Sequence, residues 1–408
     1  MPVDHAHIVL ERCSRLGAMS EEEGRLTRRS FTPAMRSAYD LVTGWMRAAG
    51  MVIHEDCIGN LVGTYTANRS AARTLIIGSH LDTVRDAGIF DGILGVMIGL
   101  AVVERLHQAK RRLPFAIEVV GFIDQEGLRF GSSFLGSRVL AGSFDPAALL
   151  LRDDQGVSVA DAVREFGGHP DLIVQEARRA QTLLGYLEVH IEQGSQLERM
   201  NLPVGVANTI AGISRATLTF MGVTGHAGTM TMDQRHDALC GASEFVGAVE
   251  AYAREIPGLV ATVGELCVAP GARNVVPGTA TLSLDLRHQD DQARLSALAH
   301  LHWRAGAIAS ERGLSLRWDE AQVQAGTTMA PELRNRLATA IGAAGHTPVE
   351  FPSGACHDAS VMSGITDSAV LFVRCKGGIS HNPAESVTLE DVAAAIEVVE
   401  RFINELAG

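Results

Sequence analysis

The chain alternates short apolar runs with longer segments in which apolar positions recur at helical spacing. Residues 74–78, Thr-Leu-Ile-Ile-Gly, form a short apolar run of the kind that makes a buried strand. Residues 92–108 follow as an apolar-rich helix ending near the basic positions 110–112, and 115–123 is strand-like again. The rhythm returns at 186–191 and at 369–373, before a last helix over 389–405. Strands alternating with helices predict an α/β fold, a mostly parallel sheet flanked by helices.

A different rhythm lies between these segments. Residues 214–221 alternate strictly, with Ala216, Leu218 and Phe220 on one face and Arg215, Thr217 and Thr219 on the other. A helix over about 235–254 follows, then strand signals at 259–268 and 279–287, a helix over 291–311 and a strand over 314–318. The order β-α-β-β-α-β is the split motif of ferredoxin-like domains. It predicts a small α+β domain at 212–328 inserted into a larger domain made of 1–211 and 329–408, with hinges near Gly212 and 324–326.

Composition narrows the picture. Apolar residues make up 46% of the 408 positions and charged residues 20%, which excludes a disordered or collagen-like chain. The formal net charge is −12 with no long basic run, which argues against nucleic-acid binding but leaves room for a small anionic substrate. The uncharged run 92–103 is too short to span a bilayer, and the first residues lack a basic stretch followed by an apolar core. Six scattered cysteines without C-x-x-C spacing predict reduced thiols, and so a cytoplasmic protein.

The chemistry lies at the ends of the strand-like runs. One run ends in His80, and Asp91 follows in a glycine-rich turn. The next leads to Glu126, another ends at His190, and His381 comes after the run 369–373. Ligands of open α/β sheets gather outside the carboxyl ends of the strands. Any single one of the 15 histidines is more often a surface or core residue than a ligand, so the weight rests on the joint placement. Two carboxylates and three imidazoles without a thiolate suit Zn²⁺ or a harder ion such as Mn²⁺. If one carboxylate bridges, the five complete two sites of three protein ligands each.

G-S-H-L-D-T-V at 78–84 and F-D-G-I-L-G-V at 90–96 resemble the di-zinc amidohydrolases of the aminoacylase-like metallopeptidase family. The segments 190–194, 226–228, 274–277, 357–359 and 380–385 are similar to the branch of N-carbamoyl-L-amino acid hydrolase, β-ureidopropionase and allantoate amidohydrolase. The resemblance runs from about residue 55 onward. It implies a catalytic domain with an inserted dimerisation or lid domain, a homodimer, and two divalent ions per subunit, Zn or Mn, with Co or Ni as further options. His80, Asp91 and His190 would hold one ion, and Asp91, Glu126 and His381 the other. Asp82 matches a carboxylate that accepts the ligand imidazole's second N–H. Gln193 matches a residue that touches substrate, and His226 one that donates to the developing oxyanion, typically from the partner subunit. Asn274 and Arg287 match residues that grip a substrate carboxylate. Strand periodicity independently turns Arg287 away from Leu282, Leu284 and Leu286, which by itself describes a solvated surface charge. Arg215 and His357 are further pocket candidates, whereas Cys356 reads as a buried thiol.

Position 125 departs from the family pattern. Residues 124–126 are Asp-Gln-Glu where the resemblance implies Asp-Glu-Glu, and the first Glu of that pair is the general base. An amide has no proton-accepting function near neutral pH, so Gln125 predicts a chain that binds metal and substrate but turns over very slowly. A substitution made to trap a complex accounts for it, and so does a natural member that has lost activity or uses another base. The expected reaction is attack of metal-bound water on the linear amide of an N-carbamoyl or N-acyl amino acid, or of allantoate. The alternative is a metal-dependent binding protein without turnover. No G-x-S-x-G elbow and no H-E-x-x-H helix occur in the chain.

Overall fold

In the computed structural model, which describes residues 2–408, four strands run parallel. Side by side they are Ala116–Phe122, Thr74–His80, Leu183–Ile191 and Ser368–Val373. These strands are buried nearly end to end, which is why they read as continuous apolar runs instead of alternating ones. Antiparallel strands extend the sheet on both sides: Leu61–Tyr65 and then Val52–Glu55 beyond Ala116–Phe122, and Val204–Ile210 beyond Ser368–Val373.

Helix Ile93–Gln108 is buried along almost its whole length. A helix apolar all round belongs inside a core, and a Cβ at Gly95 would be driven into the Val189 carbonyl, so the helix backbone lies directly on the sheet. Helices Pro2–Gly17, Pro33–Ala48, Pro331–Ala343 and Leu389–Ala407 also belong to this unit, and Thr32 and Thr388 cap the N-termini of the second and fourth. One apolar core runs through it, including Ile77, Ile98, Val119, Leu187 and Leu371. Among the described residues no helix is long and apolar enough to cross a membrane.

This unit takes in the chain up to Asn208, then Met329–Phe351 and Ala355–Gly408; Thr209–Thr328 with Pro352–Gly354 form a second unit. The second unit carries a wholly antiparallel sheet in the order Leu266–Ala269, Thr279–His288, Gly212–Met221, Ser315–Gln324. Helices Ala238–Glu255 and Asp291–Glu311 supply a separate core with the inward residues Leu218, Phe220, Leu282 and Leu286. The expected strand at 259–268 is two pieces, Val260–Thr262 and Leu266–Ala269, both paired with Thr279–His288. The final strand continues past the expected 318 to Gln324.

Candidate metal centre

The parallel strands deliver their side chains at one end of the sheet. His80 closes its strand, His190 is the penultimate residue of Leu183–Ile191, and Glu126 follows Ala116–Phe122. Asp124, Gln193 and His381 all have left-handed backbones, with φ of 60°, 56° and 54°. Such conformations cost about 1–3 kcal/mol each and concentrate where function holds a side chain in place. Asp91 sits just before Gly92, whose φ is 69° and whose missing side chain leaves room for the His80 ring.

Among the described residues three sets of three donor atoms lie mutually within 4.8 Å: Glu188–His190–His357, and the two that share Asp91, His80–Asp91–His190 and Asp91–Glu126–His381. Asp91 joins the last two with different oxygens. Its Oδ1 lies 3.1 Å from His190 Nε2 and 3.9 Å from His80 Nε2, while Oδ2 lies 3.1 Å from His381 Nε2. Glu126 Oε1 is 3.5 Å from the same His381 nitrogen. His80 Nδ1 lies 2.9 Å from the Asp82 carbonyl, and His190 Nδ1 2.9 Å from that of Ile191. A carbonyl only accepts, so both Nδ1 atoms donate and both Nε2 lone pairs face Asp91.

Lone pairs aimed at a carboxylate require positive charge between them, which either protons or cations can supply. For His190, burial opposes protonation, but the hydrogen bond to Asp91 and the charges of Asp91 and Glu188 together outweigh it and push the pKa up to about 9. Burial and the charges of Asp91 and Asp82 push the Glu126 carboxyl well above the usual carboxylate range. Gln193 turns its amide N–H group into the same space, 3.2 Å from each Asp91 oxygen and 3.1 Å from Ser380 Oγ. Nitrogen and oxygen donors crowded with negative charge fit a pair of divalent ions such as Zn²⁺ or Mn²⁺.

Residues 76–405 match the model of peptidase family M20/M25/M40. The chain belongs to this family. It is 38% identical to N-carbamoyl-L-amino acid amidohydrolase of Geobacillus stearothermophilus, over 97% of each chain. Against allantoate deiminase of Arabidopsis thaliana it is 36% identical, over 96% of this chain and 81% of that one. A crystal structure of a hydantoinase/carbamoylase-family amidase from Burkholderia multivorans superposes with a TM-score of 0.90 at 29% identity, covering 98% of both chains.

Around the donor sets of this M20-family chain, the hydrogen bonds depart from the expected pattern at Asp82. Its carboxylate is 3.7 Å from His80 Nδ1, because the chain turns after His80 and brings the Asp82 main-chain carbonyl closer. The carboxylate instead accepts the backbone N–H groups of Gln125 and Glu126, at 3.1 and 3.0 Å. Asp82 thus ties the His80 turn to the Glu126 turn. Gln125 is buried, and its side-chain nitrogen donates to the Cys356 carbonyl at 3.1 Å. His357 is fully buried with its ring edge-on to His190, 4.5 Å between centroids. Burial and the neighbouring His190 hold it neutral, well below the ordinary histidine pKa.

In the sequence Glu385 stands out only as the last residue of the 380–385 motif. Its Oε1 accepts the N–H groups of Phe90 and Asp91 at 2.8 and 3.0 Å, and its Oε2 accepts the Ser380 hydroxyl at 3.0 Å. One buried carboxylate therefore clamps the Asp91 turn to the loop that presents His381. Glu385→Ala is expected to weaken metal affinity about 10–100-fold, measured by chelator competition. Glu385→Gln, whose amide oxygen still accepts both N–H groups, should recover most of the loss. Unaltered affinity in the alanine variant would contradict the clamp.

In the second unit the remaining predicted residues fall into two pairs. Val275 sits opposite His226 in a short antiparallel ladder, and Ala227 N–H donates to the Asn274 carbonyl, so His226 and Asn274 are neighbours. His226 is exposed and its Nδ1 accepts the Gly228 N–H at 3.1 Å, which leaves Nε2 as the donor of the neutral ring. Arg215 and Arg287 meet through Asp285, which sequence reading missed. The Asp285 position directly opposite Arg215 depends on strand register, which the sequence pattern alone does not supply.

Proposed function

We propose that the chain is a metal-dependent amidohydrolase cleaving the linear C–N bond of an N-carbamoyl-L-amino acid, with allantoate or an N-acyl amino acid as close substrate options. The observation that carries this reading is the Asp91 carboxylate, one oxygen toward the His80–His190 nitrogens and the other toward His381. When bound, two divalent ions polarise the scissile carbonyl and acidify the attacking water. His80, Asp91 and His190 would hold one ion, and Asp91, Glu126 and His381 the other. Asp82 keeps the Glu126 turn in place, and Gln193 lies where it can pass from Asp91 to a substrate polar group. His226 donates from Nε2 to the carbonyl oxygen as it gains charge. Asn274, Arg287 and Arg215 take the carboxylate, and His357 supports the His190 ring from behind. A carbamoyl substrate yields ammonia, carbon dioxide and the free amino acid.

The reading includes a cytoplasmic homodimer whose second unit acts as the dimerisation or lid domain and brings His226 from the partner subunit. All six cysteines are free thiols, which supports a reducing compartment. It also includes slow turnover, because Gln125 stands where a proton-accepting carboxylate is needed. One observation favours a second reading, metal-dependent binding of a small molecule without turnover. The bond from Gln125 Nε2 to the Cys356 carbonyl is one a carboxylate cannot make.

The test is ammonia release from a panel of N-carbamoyl-L-amino acids and allantoate, with amino-acid release from N-acyl amino acids, in added Zn²⁺ or Mn²⁺. Slow, saturable, metal-dependent release is expected, and a chelator should abolish it. Release that persists after metal is stripped sinks the amidohydrolase reading. Saturable binding with no release, even from Gln125→Glu protein, selects the binding reading.

A further inference from the structure

The outward face of the second unit's sheet holds a charge cluster built with more care than a chance ion pair. Asp285 lies directly opposite Arg215 across the ladder, and Arg287, two residues on, shares its face. Arg215 Nε donates to Asp285 Oδ2 at 2.8 Å. Arg287 grips the same carboxylate twice, from Nε to Oδ1 at 2.9 Å and from Nη2 to Oδ2 at 3.2 Å. Each guanidinium has a second anchor: Arg215 Nη1 donates to Gln322 Oε1 and Arg287 Nη1 to the Gly354 carbonyl, both at 3.0 Å.

The Gln322 anchor depends on a local irregularity. The register of strand Ser315–Gln324 shifts between Glu320 and Gln322, so Gln322 and not Ala321 stands opposite Arg215. A bulge of this kind re-aims one side chain and is over-represented beside active sites. Without it, Gln322 would not sit across from Arg215.

The three side chains of this cluster, two guanidiniums and one carboxylate, sum to one positive charge. Burial works against the charge of Asp285, and the bonds from Arg287 and Arg215 overcome it, holding its carboxyl below the usual range. We propose that Asp285 is a positioning residue: it locks Arg215 and Arg287 into a fixed pair that receives a single substrate carboxylate. The inference rests on the carboxylate grip of the proposed function. An exposed cross-strand ion pair with no role in binding would stabilise the sheet by little and would leave ligand preference untouched.

The test uses the zinc-loaded full chain with two probes, N-carbamoyl-L-alanine and its uncharged counterpart N-carbamoyl-L-alaninamide. Binding is read as a dissociation constant by calorimetry or as KM, which equals it while turnover is slow relative to substrate release. The unaltered chain should prefer the acid. Asp285→Asn is expected to weaken the acid about tenfold and to leave the amide within about twofold, with kcat little changed. Gln322→Leu, which removes only the outer anchor of Arg215, should move the same way by a smaller factor. Tighter binding of the acid to Asp285→Asn would make Asp285 a competitor of the substrate and overturn the proposal. Equal losses for both probes would reduce Asp285 to a fold-stabilising residue and overturn it too. Arg287→Met separates the two levels of the argument. If it leaves the acid-to-amide ratio unchanged, or if the unaltered chain shows no preference, the carboxylate grip itself fails.

Discussion

Gln125→Glu is expected to raise turnover of the metal-loaded chain by about 10²–10⁴-fold, the usual worth of a positioned acid–base group. The argument starts from what the two side chains share. Both place a polar fork at the same position, on a backbone whose N–H is held by Asp82. Only the carboxylate accepts a proton from the attacking water and passes one to the leaving nitrogen. The amide of Gln125 instead spends its N–H group on the Cys356 carbonyl. A carboxylate cannot make that bond, so in the variant repulsion from the carbonyl oxygen turns the side chain away from Cys356 or raises its pKa. A pKa raised toward neutrality is the condition in which a carboxylate works best as a general base. The gain should appear in kcat with KM and metal content little altered, because neither the ligand set nor the carboxylate-binding residues change. A steady-state ammonia assay with metal content measured in parallel checks this, and an unchanged kcat in fully loaded protein removes the assigned role of position 125.

What sequence reading reached and missed follows physical lines. The five metal-ligand candidates were legible because buried parallel strands announce themselves as apolar runs, and chemistry in such sheets collects where the runs end. Val52–Glu55 was not legible because it is a mostly exposed edge strand without an apolar run. Spacing puts Asp82 beside the His80 ring but cannot tell its side chain from its own carbonyl, and it is the carbonyl that meets the ring nitrogen. Glu385 and Asp285 escaped for a common reason. Besides a near neighbour each has a distant partner, Phe90 at 295 residues for Glu385 and Arg215 at 70 for Asp285, and only the fold or the strand register brings those together. Gln322 was the least accessible of all, because its place opposite Arg215 depends on a one-residue slip within a regular ladder.

The Asp91 carboxylate is the point on which both proposed ion sites depend, so Asp91→Asn should produce the largest loss of any single substitution. An asparagine offers one acceptor oxygen and one N–H group where the native residue offers two oxygens. Whichever way it turns, the N–H group faces either the His80–His190 nitrogens or His381, and that set loses its shared ligand. Bound metal should fall from two equivalents to at most one, and activity by at least about 10³-fold, since a lost Lewis acid withdraws several kcal/mol of transition-state stabilisation. Stability offers a readout independent of turnover. Ions that bind only the folded chain stabilise it by mass action, so the Tm of the native chain should climb with added Zn²⁺ and that of the variant much less. The variant relieves Glu126 of a neighbouring charge but also gives up the pairing of Asp91 with His190 and His381, so its own metal-free Tm is the baseline from which its zinc response is read. Metal analysis that finds two tightly held equivalents in Asp91→Asn would show that the ions do not share this carboxylate.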